Sequence, residues 1–122
     1  MTFVCDVTDE NGVYEITAKA EKTFGKIDIL VNNAALWRYF ASFIDTPTEE
    51  WKRFIDVNVM GVVYFTKSVL SKMLENSYGR IINVGSAAGV YGNANLICFL
   101  ASDEASYISG QTIQIDSCRK KQ

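Results

Sequence analysis

The stretch that decides the fold is IDILVNNAA, residues 27–35. It is a near-continuous apolar run that ends in two asparagines and two alanines. Such a run is typical of a parallel strand covered on both faces, because flanking helices leave neither face open to water. We therefore predict a buried strand at Ile27–Asn32.

Other apolar runs extend this pattern along the chain. RIINVG predicts a second buried strand at Arg80–Val84, and shorter runs predict strands at Phe3–Asp6 and Gln111–Ile115. Stretches with helical spacing of apolar residues separate these runs. Strands that alternate with helices of about ten or more residues predict an α/β fold with a mostly parallel sheet, in two or three layers.

Three helices are predicted between these strands. The first begins at Asp9 and ends at Gly25, a residue type that commonly terminates helices. The second begins at Thr46-Pro47-Thr48-Glu49, with Thr46 as N-cap and Pro47 in the first turn, and runs towards Asn76. The third is the short helix LICFLASDEA. The predicted inner faces are Val13, Ile16, Ala20 and Phe24 in the first helix and Trp51, Ile55, Val59, Val62, Thr66, Val69 and Met73 in the second.

Length and composition narrow the classes of function. With 122 residues, the chain is predicted to form one domain, residues 1–122. A net charge of −2 gives no basic surface for nucleic acid. No apolar run approaches the roughly 20 residues of a membrane span. Three scattered cysteines and the absence of histidine argue against a metal site and favour a reducing, cytoplasmic location.

One polar residue interrupts the apolar face of the second helix. Asn58 comes three residues after Ile55 and four before Val62. A buried amide without a hydrogen-bond partner costs about 1–3 kcal/mol, so this one needs a partner. Two interpretations stay open: the amide pins the helix to a neighbouring backbone, or it holds a water or a reacting group at a site.

Small and polar residues follow the two buried strands. Asn32-Asn33-Ala34-Ala35 follows the first, and Gly85-Ser86-Ala87-Ala88-Gly89 follows the second. Ligands of open α/β sheets bind beyond the carboxyl ends of the strands. The sequence therefore predicts that Asn33, Asn58 and Ser86 converge on that side of the sheet. The alternative is a pair of ordinary turns between strand and helix.

Taken in order, these motifs carry a resemblance to a known family. CDVTD, VNNAA, DVNVMG, INVGSAAG and FLASDEASYISGQTIQID together resemble the short-chain dehydrogenase/reductase family over almost the whole chain. The resemblance implies a Rossmann-like fold, a mostly parallel sheet with flanking helices. It also implies hydride transfer between NAD or NADP and a small-molecule alcohol or carbonyl. Subunits of the family pair through the long second helix, which implies a homo-oligomer.

The resemblance assigns roles to six residues. In the cofactor site, Asp6 and Val7 would contact the adenine end, and Asn33 and Ala34 would line the ribose and support the central strand. In the catalytic site, Asn58 would hold a water of the proton relay and Ser86 would hydrogen-bond the substrate oxygen. Ala35 stands where the family more often has glycine.

Two motifs of the family do not occur in these 122 residues. One is the Gly-rich turn TGxxxGxG, whose backbone amides meet the cofactor pyrophosphate at a helix N-terminus. The other is Tyr-x-x-x-Lys, in which the lysine lowers the tyrosine pKa from about 10 so that it can act as acid and base. Tyr64 and Lys67 lie about one and a half helical turns beyond Asn58, and Tyr91 has no lysine near it in sequence. The predicted fold is thus incomplete relative to the family.

Two hypotheses of function follow. In the first, the chain is an oxidoreductase of this family through a longer protein or a complementing partner. In the second, it is a non-catalytic remnant that serves as a binding or oligomerising module. The missing Tyr-x-x-x-Lys favours the second for this polypeptide alone, and binding of the cofactor by this chain is in doubt for want of the Gly-rich turn.

Overall fold

The computed structural model describes residues 1–37, 42–85 and 94–113. A π-helical turn, Asp56–Met60, joins the second helix to the third, and a 3-10 turn, Asp103–Ala105, follows the last helix. The main elements, in chain order, are α1 Glu10–Phe24, β1 Ile29–Asn32, α2 Thr48–Ile55, α3 Gly61–Glu75, β2 Arg80–Asn83 and α4 Ala94–Ala101.

The two predicted central strands form a parallel sheet. Ile29 lies opposite Arg80 and Asn32 lies opposite Asn83. The ladder continues past the strand end, where the Val84 N–H donates to the Asn32 carbonyl at 2.9 Å. The structure confirms a parallel α/β arrangement around these two apolar runs, each slightly shorter than predicted. The prediction that both strands are buried is wrong, since Ile29 and Val31 are 41% and 39% exposed and no residue of either strand is buried.

The outer strands differ from the prediction. Phe3–Asp6 is not a strand, and Val4 is 98% exposed. Residues 111–113 are not in a strand either, and residues 114–115 lie outside the described residues. A strand exists only where a neighbour completes its hydrogen-bond ladder. Among the described residues the sheet has two strands, so these apolar segments find no such neighbour.

The first predicted helix is confirmed as α1. It ends at Gly25, whose φ of 88° is in the left-handed region that glycine tolerates best. Val13 is fully buried, but Phe24, predicted on the same inner face, is 62% exposed. Thr17 takes the inner position instead, since its hydroxyl is buried at 3.0 Å from the Ser68 hydroxyl of α3.

The second predicted helix is confirmed as a continuous segment, Thr48–Glu75. Its start differs by one position, because Pro47 and not Thr46 is the N-cap. The Thr46 hydroxyl donates instead to the Ser42 carbonyl, at 3.0 Å.

A π-helical turn in the middle of this helix changes which residues face inward. Ile55 and Val59, predicted on the inner face, are 55% and 48% exposed. A π turn holds one residue more than an α turn, so it shifts the inner face of the preceding segment by one position. Phe54 and Val57 are accordingly half-buried in their place.

Helices lie on both faces of the sheet. The Asn32 amide on β1 is 3.5 Å from the Thr66 hydroxyl of α3. The Arg80 guanidinium on β2 donates to the Leu100 carbonyl of α4 at 3.4 Å. Side chains alternate between the faces of a strand, so α3 and α4 lie on opposite faces and the arrangement has three layers. The fully buried apolar residues of the described chain are Val13, Val69, Met73 and Ala105.

The segment Thr48–Glu75 is also long and apolar enough to cross a membrane, by length and composition alone. One such helix is weak evidence for a membrane span. The expectation that the chain has no membrane partner therefore stays a prediction.

Candidate functional site

A cavity of about 170 Å³ opens at the carboxyl end of β1. Val7, Asn33 and Ala34 line it on one side, and Val57 and Gly61 line it from the long helix. Three of the four residues assigned to the cofactor by the resemblance therefore face one space, although Val7 is far from the other two in sequence.

Gly61 sets how closely the long helix approaches this space. A Cβ atom at Gly61 would lie 3.1 Å from Val7 Cγ2 and 3.3 Å from the Val7 carbonyl oxygen. Glycine inside a helix costs up to about 1 kcal/mol relative to alanine, and here the close approach of the Val7 backbone explains it. Gly61 ends the DVNVMG motif, and a glycine inside a predicted helix was the signal in the sequence for this close contact.

Asp6 lies beside the cavity but does not line it. Its carboxylate accepts hydrogen bonds from the Thr8 backbone N–H at 2.9 Å and from the Thr8 hydroxyl at 2.8 Å. These bonds favour the ionised form and lower the pKa of Asp6. The turn after Asp6 therefore holds a fixed, solvent-exposed negative charge next to Val7.

Asn58 makes two hydrogen bonds to a single backbone unit. Its Oδ1 accepts from the Leu36 N–H at 2.8 Å, and its Nδ2 donates to the Leu36 carbonyl at 3.0 Å. This confirms the interpretation that the amide pins the helix to a neighbouring backbone. Asn58 lies in the π turn and is exposed and not buried. Its role with a water is untested and stays a prediction.

A pair of asparagines, Asn32 and Asn83, joins the ends of the two strands. The Asn32 Nδ2 donates to the Asn83 Oδ1 at 2.8 Å, across the two residues that lie opposite each other in the ladder. The sequence analysis did not single out this pair. The signal was present in both strands, since each ends in an asparagine that closes an apolar run.

Two of the three residues predicted to converge, Asn33 and Asn58, lie in the described part of the chain. Asn33 lines the cavity, and Asn58 binds Leu36 in the segment that Asn33 begins, so both belong to the region beyond the carboxyl end of β1. Ser86 lies outside the described residues, which end at Gly85 on this side. Its place in the site stays a prediction.

Lys67 makes its hydrogen bond with helix α1. Its Nζ donates to Glu10 Oε1 of α1 at 3.2 Å. That hydrogen bond and the charge of Glu10 raise the pKa of Lys67. Tyr91 lies outside the described residues.

In the described ranges, no group of three or more His, Cys, Asp or Glu side chains is placed to hold a metal ion. Cys5 and Cys98 are both free thiols. Burial is the largest cause that raises the pKa of Cys5, followed by the charges of Asp9 and Asp6.

Comparison with known proteins settles the family. The family model described as short chain dehydrogenase matches residues 1–108. The chain therefore belongs to the short-chain dehydrogenase family. It is 37% identical over 100 residues to a 3-oxoacyl-[acyl-carrier-protein] reductase of Thermotoga maritima, covering 82% of this chain and 40% of that protein. It is also 37% identical over 120 residues to an inactive 2-(S)-hydroxypropyl-CoM dehydrogenase 2 of Xanthobacter autotrophicus, covering 91% and 52%.

Solved structures agree in fold. The chain matches the protein ElxO with NADP bound at a TM-score of 0.67 and 37% identity, covering 74% of this chain and 36% of that one. It matches an NAD⁺-bound xylitol dehydrogenase at a TM-score of 0.67 and 41% identity, covering 74% and 35%. The fold is thus Rossmann-like, and the chain covers only part of it. It spans about two-fifths of the length of the first of these relatives.

The size of the cavity limits what it can hold. A pocket for a whole drug-sized ligand measures about 300–1,000 Å³. The cavity beside Val7 and Asn33 is smaller, at about 170 Å³, which suits a single ring system. The Gly-rich turn that would meet the pyrophosphate is not in this sequence.

Proposed function

We propose that this chain supplies the adenine end and part of the catalytic side of an NAD- or NADP-dependent oxidoreductase that interconverts alcohols and carbonyls. The observation that carries the proposal is the cavity shared by Val7, Asn33 and Ala34. Asp6 fixes the turn that presents Val7, through its bonds to Thr8.

The catalytic roles are proposed for Asn58 and Ser86. Asn58 positions the segment after Ala34 through the Leu36 backbone, and in the complete site it holds a water for proton transfer. Ser86 hydrogen-bonds the substrate oxygen. The nicotinamide cofactor, when bound, accepts or gives the hydride. The chain by itself has no Tyr-x-x-x-Lys, so no group with a suitable pKa moves a proton at the substrate oxygen.

The cavity is tested with AMP as the probe and with Ala34→Leu, which fills the space. Amide shifts at Val7, Asn33 and Ala34 in a heteronuclear NMR titration are the expected result, and Ala34→Leu should abolish them. Ala18→Leu, on the exposed face of α1, is the matched control and should leave them intact. Shifts that spread evenly over the chain, or that survive Ala34→Leu, would contradict the assignment.

A second role, self-association, is favoured by the outer face of the long helix. An exposed apolar stripe runs along it, with side chains that are 38–70% exposed: Ile55, Val59, Val63, Leu70 and Leu74. An exposed apolar patch of this kind favours a partner, and we propose that a second copy covers the stripe.

Sedimentation velocity tests this second role. Leu70→Lys places a charge in the stripe and should lower the average sedimentation coefficient, whereas Ser71→Lys, one position outside it, should not. The scattered thiols, with no metal-ligand spacing, fit the proposed cytoplasmic location.

A further inference from the structure

The second edge of the sheet borders a groove of about 1000 Å³. All four residues of β2 line the groove, and so do the residues before and after β2, from Ser77 to Gly85. The opposite wall is residues 108–113, and the floor is apolar, from Leu96, Ile97 and Leu100 of α4. Since β2 pairs with β1 on one side only, the backbone groups on its groove side have no strand partner among the described residues.

An unpaired strand edge beside an apolar floor suits an extended peptide segment with alternating apolar side chains. An extended segment added there satisfies the free N–H and C=O groups, and its alternate side chains pack on the floor. β2 and Val84, the five residues that carry the ladder, span about 17 Å at roughly 3.3 Å per residue, so this edge has room for a strand of about five residues.

The same chain carries a segment of that kind. Phe3–Asp6 has the apolar, β-branched composition that predicted a strand, yet it has no ladder. The backbone groups of residues 1–5 make no backbone hydrogen bond within the described ranges. Val4 is 98% exposed, which leaves a β-branched side chain fully in water.

Within one chain, this segment is on the wrong side to fill the groove. It leads into Val7, which lines the cavity beside β1 together with Leu30 and Val31. The groove lies at the far edge, beyond β2. The segment of a second copy is under no such restriction. A two-fold exchange would fill both grooves and close the assembly, because each chain gives one strand and accepts one.

We propose that two copies of this chain exchange their Met1–Asp6 segments, each segment adding as a strand to β2 of the other copy. Val4 of one copy then packs on the apolar floor of the other copy's groove. This contact is independent of the stripe on the long helix and of the proposed oxidoreductase role.

Disulfide trapping between two different variants tests the exchange. All three native cysteines are first replaced by serine. A Val4→Cys chain is then mixed with chains that carry Ile81→Cys, Ile82→Cys or Asn83→Cys, and the mixture is oxidised. Cross-linking requires Cα atoms about 4.4–6.8 Å apart, so one of these positions should give a strong mixed dimer. Val4→Cys mixed with Val63→Cys, on the helix stripe, is the control and should not cross-link.

A second measurement uses the backbone. Val4→Pro removes the N–H donor of an inserted strand and should weaken self-association at least about tenfold in sedimentation equilibrium. Val4→Thr keeps both the donor and the β-branch and should leave it near the wild-type value. Circular dichroism checks that Val4→Pro still folds, as expected for an exposed residue. Equal association of the two variants, or trapping only with Val63→Cys, would overturn the proposal.

Discussion

Asn58 binds Leu36 through both of its backbone groups, with hydrogen bonds of 2.8 Å to the N–H and 3.0 Å to the carbonyl. The amide projects from the π-helical turn Asp56–Met60, and Leu36 lies in the segment that follows β1. One side chain therefore ties the middle of the long helix to the loop at the carboxyl end of the sheet. The position of Asn33 and Ala34 depends on that tie.

Asn58→Ala should loosen this loop. Two hydrogen bonds are lost, and we expect the free energy of unfolding to fall by about 1–3 kcal/mol. The Leu36 amide should also exchange its hydrogen faster, which native-state hydrogen exchange measures at that residue. Asn11→Ala, on the exposed face of α1, is the control. Unchanged exchange at Leu36 in the Asn58 variant would show that the amide does not hold the loop in solution.

Gly61→Ala should destabilise the fold although alanine favours helices. The new methyl group would meet Val7 at about the 3.1 Å noted above, and overpacking of this kind costs about 1–3 kcal/mol. Val7→Ala in the same chain should recover part of the loss, which a double-mutant cycle in urea measures. Gly85→Ala has open space around it and serves as control. Identical losses at Gly61 and Gly85 would argue against close packing on Val7.

Ser77→Gly should stabilise the chain. Ser77 has a φ of 51°, and it closes α3 with a bond from its N–H to the Leu74 carbonyl, while the Tyr78 N–H donates to the Met73 carbonyl. This is the arrangement in which glycine is the preferred residue, so relief of the left-handed strain should add about 0.5–1 kcal/mol. Thermal unfolding measures the change. Ser71→Gly, inside the helix, should have the opposite sign.

The charge of Asp6 should persist to lower pH than that of an ordinary aspartate. Thr8 donates two hydrogen bonds to the ionised carboxylate, so Thr8→Ala should raise the pKa of Asp6 towards its usual value. An NMR titration of the carboxyl carbon measures this directly, with Thr23→Ala as a distant control. Because the folded pKa is the lower one, any stability from this turn is present at neutral pH and is lost as pH falls through it. A pKa of Asp6 that is insensitive to Thr8→Ala would contradict the assignment.

The sequence was sufficient for the parts of the fold that depend on local pattern. The apolar runs predicted two parallel strands, and Ile29–Asn32 and Arg80–Asn83 form them. The predicted burial was wrong, because Ile29 and Val31 on one face of β1 are 41% and 39% exposed. Helix α1 followed from its spacing and its terminal Gly25.

The errors arose where distant residues decide the outcome. Phe3–Asp6 has strand composition, but a strand also needs a neighbour, and composition does not reveal whether one is present. The π turn likewise moved Ile55 and Val59 to the surface, because Gly61 packs on Val7 and Asn58 binds Leu36. Each of these contacts joins segments far apart in sequence, so periodicity along one helix could not show it.

The most direct test of the account is a turnover assay on the purified chain, with its mass of 13.6 kDa verified. Absorbance of the reduced cofactor is followed with NAD or NADP and a panel of secondary alcohols and ketones. The account predicts no turnover, because this sequence lacks both the Gly-rich turn and the Tyr-x-x-x-Lys pair. Turnover that disappears on Ser86→Ala would contradict it and would imply a replacement base, with Tyr64 and Tyr91 the first residues to mutate.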